Sequence, residues 1–427
     1  MSFLIIADDL SGAADCAIGF AGAGLRTVVT LDAAAAPADA DVIAADTDTR
    51  RLAPSDAAAR TAAAFAALRV HGRRLYKKID STLRGNWAAE VAALRPLGGL
   101  AIVAPAFPAT GRVLRGGRVL VHGAPLETTD TWKLEHADRS ADVASMLTAV
   151  GLTTARLDAA ALHEGDGVLA QRIAGVAASG VGALIVDTES EDELRTLARV
   201  TLAMSEPLFW VGSGGLAREM ASMIERQREN AAPARALNGA SSAQAAESAG
   251  APILILVGSL SAVCERQCAM LRERGEVFEL IVPPAVLRAG ATHPDWPGWR
   301  TRIGAALDGR ADLLLRIGRD DAFDPGEGAQ LSAALAALVE PHFTKTGGLI
   351  ATGGETARAM LGTAGIGSLH LLEEVEAGVA VCRPLDNTPR AHRPGIVTKA
   401  GAFGTDHALY AAWLHLKHRN PASGAAH

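Results

Sequence analysis

Short apolar runs recur from one end of the chain to the other, and alanine-rich stretches with helical spacing separate them. Continuous runs of this kind are typical of strands that helices bury on both faces, as in parallel sheets. The runs that predict strands are residues 3–8, 41–46, 100–105, 182–187, 207–212, 252–258, 312–317, 348–352 and 395–399. The alternation of strand and helix predicts an α/β fold, in which each sheet is largely parallel and carries helices on both faces.

The segment 230–250 interrupts this alternation. It is rich in alanine, serine and glycine and contains no β-branched or aromatic residue. This composition favours an interdomain linker over an internal surface loop, because loops of this length are uncommon inside compact domains. We therefore predict two α/β lobes, residues 1–229 and 251–427. We expect the active site in the cleft between them, since small-molecule sites are common at such junctions.

Composition and charge narrow the functional class. A length of 427 residues suits two or three domains, and 49% hydrophobic with 21% charged residues excludes wholesale disorder. The formal net charge is −6 at pH 7. No basic field therefore exists to hold nucleic acid or an anionic membrane, and we expect neither as a partner. A local positive site for a small anion remains compatible with this charge.

The four cysteines are scattered and form no CxxC pair, which excludes a disulfide framework and the common zinc sites. Cys264 and Cys268 share one helical face, and we interpret them as packing residues. No apolar run reaches the roughly 18 residues that span a bilayer. The N-terminal segment lacks the basic region of a signal peptide. These features predict a cytoplasmic protein.

Charged side chains follow the predicted strands of the first lobe. Asp8 and Asp9 come directly after the first strand, at the edge where open α/β sheets bind ligands. Such carboxylates can accept hydrogen bonds from a polyol, act as a base or hold Mg²⁺. Capping of the following helix explains one of the two but not easily both. Arg50, after the second strand, can hold a carboxylate with two parallel hydrogen bonds.

The segment 77–86, KKIDSTLRGN, has the character of a dense polar binding turn. It combines two lysines, an aspartate, two hydroxyls, an arginine and an asparagine after a short strand and before a predicted helix. These groups together suit the neutralisation of a carboxylate and a transferring phosphoryl group. Arg112, in a further loop that follows a strand, adds another positive charge.

The second lobe instead places glycine turns between strands and helices. The three turns are residues 257–261, 352–357 and 399–404. Turns of this kind present backbone N–H groups and helix N-termini, which commonly bind phosphates. The standard P-loop motif, a strand-linked GxGxxG and the protein-kinase motifs do not occur at these turns. The pattern predicts a nucleotide or polyphosphate site of a different fold.

Taken together, these motifs resemble the four-carbon acid sugar kinases. The matching motifs span nearly the whole chain in the expected order. They are IADDLSGAAD (6–15), TDTR (47–50), KKIDSTLRGN (77–86), APAFPATGR (104–112), GSGGLA (212–217), VGSLS (257–261), ATGGETA (351–357) and TKAGAFG (398–404). The last motif departs from the family's usual Ser-Gly-Gly version, so no role is assigned to the Ala400 side chain.

The resemblance implies ATP-dependent phosphorylation of the 4-hydroxyl of a four-carbon sugar acid, with the acid in the N-terminal domain and ATP in the C-terminal domain. The first motif, ADDLSGAAD, is most similar to that of the D-threonate kinases, whereas relatives that act on 3-oxo-tetronates tend toward ADDFTGATD. A kinase for D-erythronate or a 3-oxo-tetronate is the alternative, because the stereochemistry at one or two carbons decides the substrate. The residues implied to contact the acid are Asp8, Asp9, Arg50, Lys78, Ile79, Asp80 and Ser81. The residues implied to contact ATP are Ser259, Gly353, Gly354, Glu355, Thr356 and Gly401.

Positioning and electrostatics are expected to dominate this reaction, as in phosphoryl transfer generally. Arg50 or Lys78 is expected to bind the substrate carboxylate. Asp9 or Asp80 is expected to orient and deprotonate the hydroxyl. The cations that can offset charge on the transferring group are Lys78, Arg84 and Arg112. Mg²⁺ is expected to bridge the ATP phosphates, and the sequence identifies no metal ligand.

A non-catalytic, two-lobed sugar-acid-binding protein is the alternative from another class. It would not need three phosphate-binding turns, and ADP release on addition of a sugar acid separates it from a kinase. A homodimer is the default assembly, because dimers are the commonest state of soluble enzymes.

Overall fold

The computed structural model describes residues 1–130, 132–133, 140–231, 250–322, 324–385, 392–401 and 403–419. The chain divides into two compact units, Met1–Arg235 and Ala236–His427. Most of the predicted linker, residues 232–249, lies outside the described residues. No helix in the described ranges is long and apolar enough to cross a membrane.

The N-terminal unit is built on a parallel sheet of the order β2-β3-β1-β4-β11-β5-β10-β9. A small antiparallel sheet, β6-β7-β8, is inserted after β5. The strands are β1 (Ser2–Ala7), β2 (Thr27–Thr30), β3 (Val42–Asp46), β4 (Arg73–Lys78), β5 (Leu100–Ala104), β6 (Arg112–Arg115), β7 (Arg118–Val121), β8 (Ala124–Pro125), β9 (Thr154–Leu157), β10 (Ala183–Val186) and β11 (Leu208–Gly212).

Helices cover both faces of this sheet. The helices are α1 (Leu10–Gly22), α2 (Pro54–Leu68), α3 (Trp87–Gly98), α4 (Val143–Thr148), α5 (Asp166–Ala178), α6 (Glu191–Ala203) and α7 (Gly214–Ala231). Helix α7 packs against α1 and α6, whereas α2 packs against α3. Right-handed crossovers that run in opposite directions along a sheet place their helices on opposite faces. This coverage explains why every residue of β3, β5 and β11 is buried.

The direction of the chain along the sheet reverses next to β1. From β1 the chain moves to β2 and β3, and from β3 it crosses back over β1 to reach β4. Such a reversal opens a crevice outside the carboxyl ends of the strands, where α/β sheets bind ligands. The loops that leave β1, β3 and β4 meet at this crevice.

The C-terminal unit has a second sheet of the order β13-β14-β12-β15-β18-β17-β16. Neighbouring strands in this order are parallel, except that β17 is antiparallel to both of its neighbours. Its strands are β12 (Ile253–Val257), β13 (Val277–Val282), β14 (Asp312–Ile317), β15 (Gly348–Thr352), β16 (Ser368–Glu376), β17 (Val379–Pro384) and β18 (Gly395–Lys399).

Two helix layers cover this sheet as well. The helices are α8 (Ala262–Arg274), α9 (Pro284–Ala289), α10 (Trp296–Asp308), α11 (Gly328–Val339), α12 (Gly354–Thr363) and α13 (Ala408–Arg419). Helices α8 and α13 pack on each other over a core formed with β12, β15, β17 and β18. Helix α11 packs against α9, α10 and α12.

The predicted fold class, α/β with two largely parallel sheets that carry helices on both faces, is confirmed. A strand lies in each of the predicted apolar runs. The hairpin of β16 and β17 was not predicted. The apolar residues of β16 are interrupted by polar ones, whereas β17 contains the buried apolar run VAVC, which sequence reasoning missed. Cys264 and Cys268 are buried in the core beneath α8, as expected for packing residues.

Candidate active site

Two adjacent carboxylates follow β1 and share one arginine. Asp9 caps α1, since its Oδ1 accepts a hydrogen bond from the Gly12 N–H at 2.9 Å. Arg50, which follows β3, donates to both oxygens of Asp8 at 2.8 and 3.0 Å. The same guanidinium donates to both oxygens of Asp9 at 3.0 and 3.3 Å. The sequence made Arg50 a candidate for the substrate carboxylate, but its hydrogen bonds already go to two protein carboxylates.

These close charges alter the pKa of both partners. Burial by itself raises the pKa of Asp8, but the charges of Arg50, Lys77 and Lys78 hold it below its usual range. Burial by itself lowers the pKa of Arg50, but its carboxylate neighbours raise it well above the usual range. Asp8 is therefore a fixed anion at neutral pH rather than a proton acceptor.

The two lysines at the end of β4 point to opposite faces of the sheet. Lys77 lies 2.8 Å from Glu90 Oε2, and both side chains are fully buried. Lys78 Nζ donates to the Ile79 carbonyl at 2.9 Å. It also lies against the first turn of α1, since a Cβ at Gly12 would be 3.2 Å away. Within the described ranges, no carboxylate lies within ion-pair distance of Lys78.

A second ion pair stands in the loop after β4. Arg84 donates to both oxygens of Asp80, at 2.7 and 3.3 Å, and the Thr82 hydroxyl donates to the same carboxylate. Burial raises the pKa of Asp80, but the charge and hydrogen bonds of Arg84, with Arg50 and Thr82, hold it well below the usual range. Ser81 is buried beside it, and the Ile79 N–H donates to the Gly212 carbonyl at 2.9 Å.

The loop after β4 adopts a strained backbone to reach this position. Leu83 is fully buried and has a φ of 58°, a conformation that costs free energy in a leucine. Gly85 has a φ of 79°, and a Cβ there would lie 2.9 Å from Asp8 Oδ2. Asn86 donates to the carbonyls of Thr49 and Leu52 at 3.0 and 2.8 Å. The loops after β3 and β4 are thus joined around Asp8.

Further buried charges surround this group. Asp15 of α1 accepts a hydrogen bond from Arg218 of α7 at 3.2 Å. Burial lowers the pKa of Arg112, whose neighbouring charges are Asp80, Arg84 and Asp15. The anions of this N-terminal cluster are Asp8, Asp9, Asp15 and Asp80. Its cations are Arg50, Lys78, Arg84, Arg112 and Arg218. Cations outnumber anions by one, which suits an anionic ligand.

The glycine turns of the C-terminal unit also meet, because β12, β15 and β18 are neighbours in the sheet. A Cβ at Gly401 would lie 2.5 Å from the Ser259 hydroxyl, so the first and third turns touch. The Gly353 N–H donates to the Lys399 carbonyl at 2.8 Å, which joins the second turn to the third. We call Ser259, Gly353, Gly354 and Gly401 the C-terminal cluster.

The N-terminus of α12 is open to an anion. Its N-cap residue, Gly353, has a φ of 90° and provides no side-chain cap. The start of α8, in contrast, is capped by its own Ser261. A Cβ at Gly353 would meet only Thr356 Oγ1, at 3.8 Å. Uncapped backbone N–H groups at a helix N-terminus are a common phosphate site.

Two predicted nucleotide residues differ in exposure. Thr356 is buried and its hydroxyl lies 3.1 Å from that of Ser332, so its side chain joins α12 to α11. Glu355 is partly exposed in the first turn of α12. The Thr356 hydroxyl also faces the first glycine turn, since a Cβ at Gly258 would lie 1.9 Å from it. Contact of Thr356 with the nucleotide stays a prediction, and Glu355 lies beside the open helix start.

Lys399 was not among the predicted site residues, yet it organises the third turn. Its buried ammonium donates to the carbonyls of Ala400, Gly401 and Phe403 at 2.9, 3.2 and 2.9 Å. Burial lowers its pKa below the usual value. Because the loop carbonyls are bound inside the protein, this lysine fixes the backbone of the C-terminal cluster. Its place in the TKAGAFG motif was the signal that sequence reasoning left unused.

The described residues contain no group of three or more His, Cys, Asp or Glu side chains that could hold a metal ion.

Comparison with known proteins identifies the family. Residues 3–220 match the family model of a sugar-binding N-terminal domain, and residues 254–409 match that of a nucleotide-binding C-terminal domain. A D-threonate kinase of Cupriavidus necator is 55% identical, over 97% of this chain and 97% of its own length. This chain belongs to the four-carbon acid sugar kinase family. The predicted resemblance is thereby confirmed.

One further relative and one solved structure are also similar to this chain. A D-threonate kinase of Bordetella bronchiseptica is 33% identical over 97% of both chains. A crystal structure from Salmonella typhimurium LT2 shares the fold, with a TM-score of 0.76 and 21% identity over 96% of this chain and 98% of its own.

Proposed function

We propose that this kinase phosphorylates the 4-hydroxyl of D-threonate with ATP, forming 4-phospho-D-threonate and ADP. The likeness to the Cupriavidus D-threonate kinase over nearly the whole chain carries this proposal. The N-terminal cluster supports it, because its charged groups suit a small hydroxylated anion. The open N-terminus of α12 supports the use of a nucleotide.

Lys78 is the residue that we propose to bind the substrate carboxylate. A buried ammonium that meets only a carbonyl is poorly compensated for the loss of water. A carboxylate at this position would complete an ion pair and would also face the first turn of α1. Arg50, whose guanidinium already holds Asp8 and Asp9, instead orients these two carboxylates.

Asp9 is the carboxylate that we propose to orient the 4-hydroxyl and accept its proton. Its side chain is 20% exposed, whereas that of Asp8 is 3% exposed. Asp80 is a poor base, because its pKa is held well below the usual range by Arg84. The Asp80 carboxylate instead fixes Arg84, whose side chain is 31% exposed and can neutralise charge on the transferring phosphoryl group.

The ATP phosphates are proposed to lie at the N-terminus of α12, with Ser259 and Gly401 beside them. These residues fit a triphosphate, because no side chain caps the start of the helix and Gly353 has no side chain to fill the space there. Mg²⁺ bound to the phosphates would neutralise their charge. The phosphate oxygens would supply most of its ligands, and Glu355 is the carboxylate that the helix start offers.

An ADP-release assay with Mg-ATP tests the proposal. D-threonate, L-threonate, D-erythronate, L-erythronate and 3-oxo-tetronates are compared, and D-threonate is expected to give the highest kcat/KM. A higher kcat/KM for another acid would show that the protein is a kinase with a different preferred substrate. If the folded protein bound D-threonate in calorimetry but released no ADP with any acid, it would be a binding protein instead.

A further inference from the structure

The fully buried ion pair of Lys77 and Glu90 has no role in the proposed reaction. Lys77 Nζ and Glu90 Oε2 are 2.8 Å apart, and neither side chain is exposed. Lys77 belongs to β4 and Glu90 to α3. Glu90 Oε1 accepts two further hydrogen bonds, one from the Thr49 hydroxyl and one from the Thr61 hydroxyl at 3.1 Å. Four elements of the fold therefore meet at one carboxylate.

Stability alone gives little reason for such a pair. Removing two charges from water costs several kcal/mol per ion, and apolar replacements of buried pairs are often neutral or stabilising. A buried charge network does, however, fix the geometry of every group bonded to it. The Lys77–Glu90 pair can therefore affect the site through whichever of its hydrogen-bond partners needs a fixed position.

Thr49 is that partner, because Arg50 follows it directly. The Thr49 N–H donates to the Asp8 carbonyl at 3.1 Å, and its carbonyl accepts a hydrogen bond from Asn86. With the hydroxyl on Glu90, this residue is held at three points. The next residue extends its guanidinium to Asp8 and Asp9. Any shift of Thr49 would move the Arg50 guanidinium relative to both carboxylates.

We propose that Lys77 and Glu90 are positioning residues for the acid site: Glu90 fixes Thr49, and Thr49 sets the position of Arg50 against Asp8 and Asp9. Lys77 holds the Glu90 carboxylate in the orientation that presents Oε1 to Thr49. The kinetic part of this inference rests on the proposed function. Neither lysine nor glutamate touches the substrate in this arrangement.

The chain offers a matched pair of variants for the test. Thr49→Val and Thr61→Val each remove one hydroxyl donor from the same Glu90 oxygen and keep the side-chain shape. Only Thr49 is attached to the Arg50 loop, since Thr61 belongs to α2. Thr49→Val is expected to raise the KM for D-threonate about tenfold, because the variant loses one hydrogen bond to a charged group. Thr61→Val is expected to leave that KM within about twofold of the wild type. The KM for ATP should stay unchanged in both.

A readout without substrate accompanies the kinetics. Hydrogen exchange of the peptide that covers residues 47–52 should speed up in Thr49→Val and remain as in the wild type in Thr61→Val. The inference is wrong if both variants change KM and exchange equally, or if Thr49→Val changes neither. An inactive wild type would instead count against the proposed function, and the exchange comparison would still decide the positioning role.

A second comparison covers the case in which Thr49→Val does not fold. Lys77→Met with Glu90→Gln removes both charges but keeps an oxygen that can accept the Thr49 hydrogen bond. Lys77→Met with Glu90→Leu removes that oxygen as well. The first double variant should retain slow exchange at residues 47–52 and the second should lose it. Equal exchange in the two would overturn the inference.

Discussion

The cations of the N-terminal cluster differ in whether they already form an ion pair with a carboxylate of the protein. Arg50 and Arg84 each hold a carboxylate with two hydrogen bonds, whereas Lys78, within the part of the chain that the structure describes, donates only to a backbone carbonyl. A cation that already forms an ion pair with one carboxylate gains little electrostatic stabilisation from a second anion. Under the proposed function, Lys78 is therefore the cation from which an anionic substrate would gain most.

Replacement of Lys78 by methionine tests this assignment. We expect Lys78→Met to raise the KM for D-threonate about 100-fold, because a desolvated charge pair is lost. The KM for ATP should stay near the wild-type value. Lys133→Met, at an exposed lysine, is the control and should change neither constant. A wild-type KM for D-threonate in Lys78→Met would mean that another cation binds the substrate carboxylate.

Asp80 should give the protein a measurable acid sensitivity. Its folded-state pKa lies well below the ordinary 3.8, so its stabilising contribution is present above the unfolded-state pKa and is lost as pH falls towards the folded one. The stability difference between the wild type and Asp80→Asn should therefore shrink as the pH falls below about 4. Thermal unfolding between about pH 2 and 6 measures this difference.

Asp187 provides a control with the opposite sign. Burial raises its pKa despite hydrogen bonds from the backbone of Gly116 and Gly117 and the charge of Arg156. Ionisation of this carboxyl therefore disfavours the folded state, and the advantage of the wild type over Asp187→Asn should decrease as pH rises. Parallel pH dependence in the two variants would contradict the assigned directions.

At the scale of elements, the carboxyl ends of neighbouring strands bring the functional loops together in each unit. In the N-terminal unit, β3, β1 and β4 deliver the charged loops. In the C-terminal unit, β12, β15 and β18 deliver the glycine turns. The uncapped start of α12 is the feature of the second group that most directly suits a phosphate.

The two ends of α12 supply a matched pair of glycines. Gly353 and Gly365 have φ values of 90° and 72°, and neither has space restrictions that would exclude a Cβ. Alanine at either position should lower stability because φ is positive, and the loss should be greater at Gly353, whose ψ of 132° lies outside the αL region. Only Gly353→Ala is expected to raise the KM for ATP, because only that methyl group lies at the phosphate-facing end.

Kinetics and thermal unfolding of both variants check this expectation. A loss of stability in both variants, with a change in ATP KM confined to Gly353→Ala, would support the site. An unchanged ATP KM in Gly353→Ala, or the same increase in Gly365→Ala, would argue against phosphate binding at this helix.

Much of this arrangement was predictable from the sequence, for a physical reason. Apolar runs identify strands, and parallel strands place the residues that follow them at one edge, so Asp8, Arg50 and Asp80 could be expected to meet. Their pairing could not be predicted, because it depends on the register and on side-chain direction. The same limit hid the partner of Lys77, which lies on another element.

At the scale of the whole molecule, the two units are expected to bind different ligands. Saturation with D-threonate at about 100 times its Kd should stabilise the unit that binds it by about 2.7 kcal/mol. Hydrogen exchange should then slow in residues 1–231 with the acid, and in residues 250–419 with a non-hydrolysable ATP analogue.

The variants above provide the controls for this experiment. Lys78→Met should lose only the protection by the acid, and Gly353→Ala only the protection by the nucleotide. If D-threonate, added without nucleotide, slowed hydrogen exchange in the C-terminal unit, the proposed assignment of one ligand to each unit would be contradicted.

The position of β11 has a consequence for biosynthesis. This strand fills the space between β4 and β5, yet it is the last strand of its unit to be translated. Its final residue, Gly212, accepts the hydrogen bond that holds Ile79 at the acid site. A nascent chain that already contains every charged loop therefore still has open edges on β4 and β5, where misassociation with other chains is possible. Chaperone demand should be greatest during this interval, and it should end when residues 208–212 leave the ribosome.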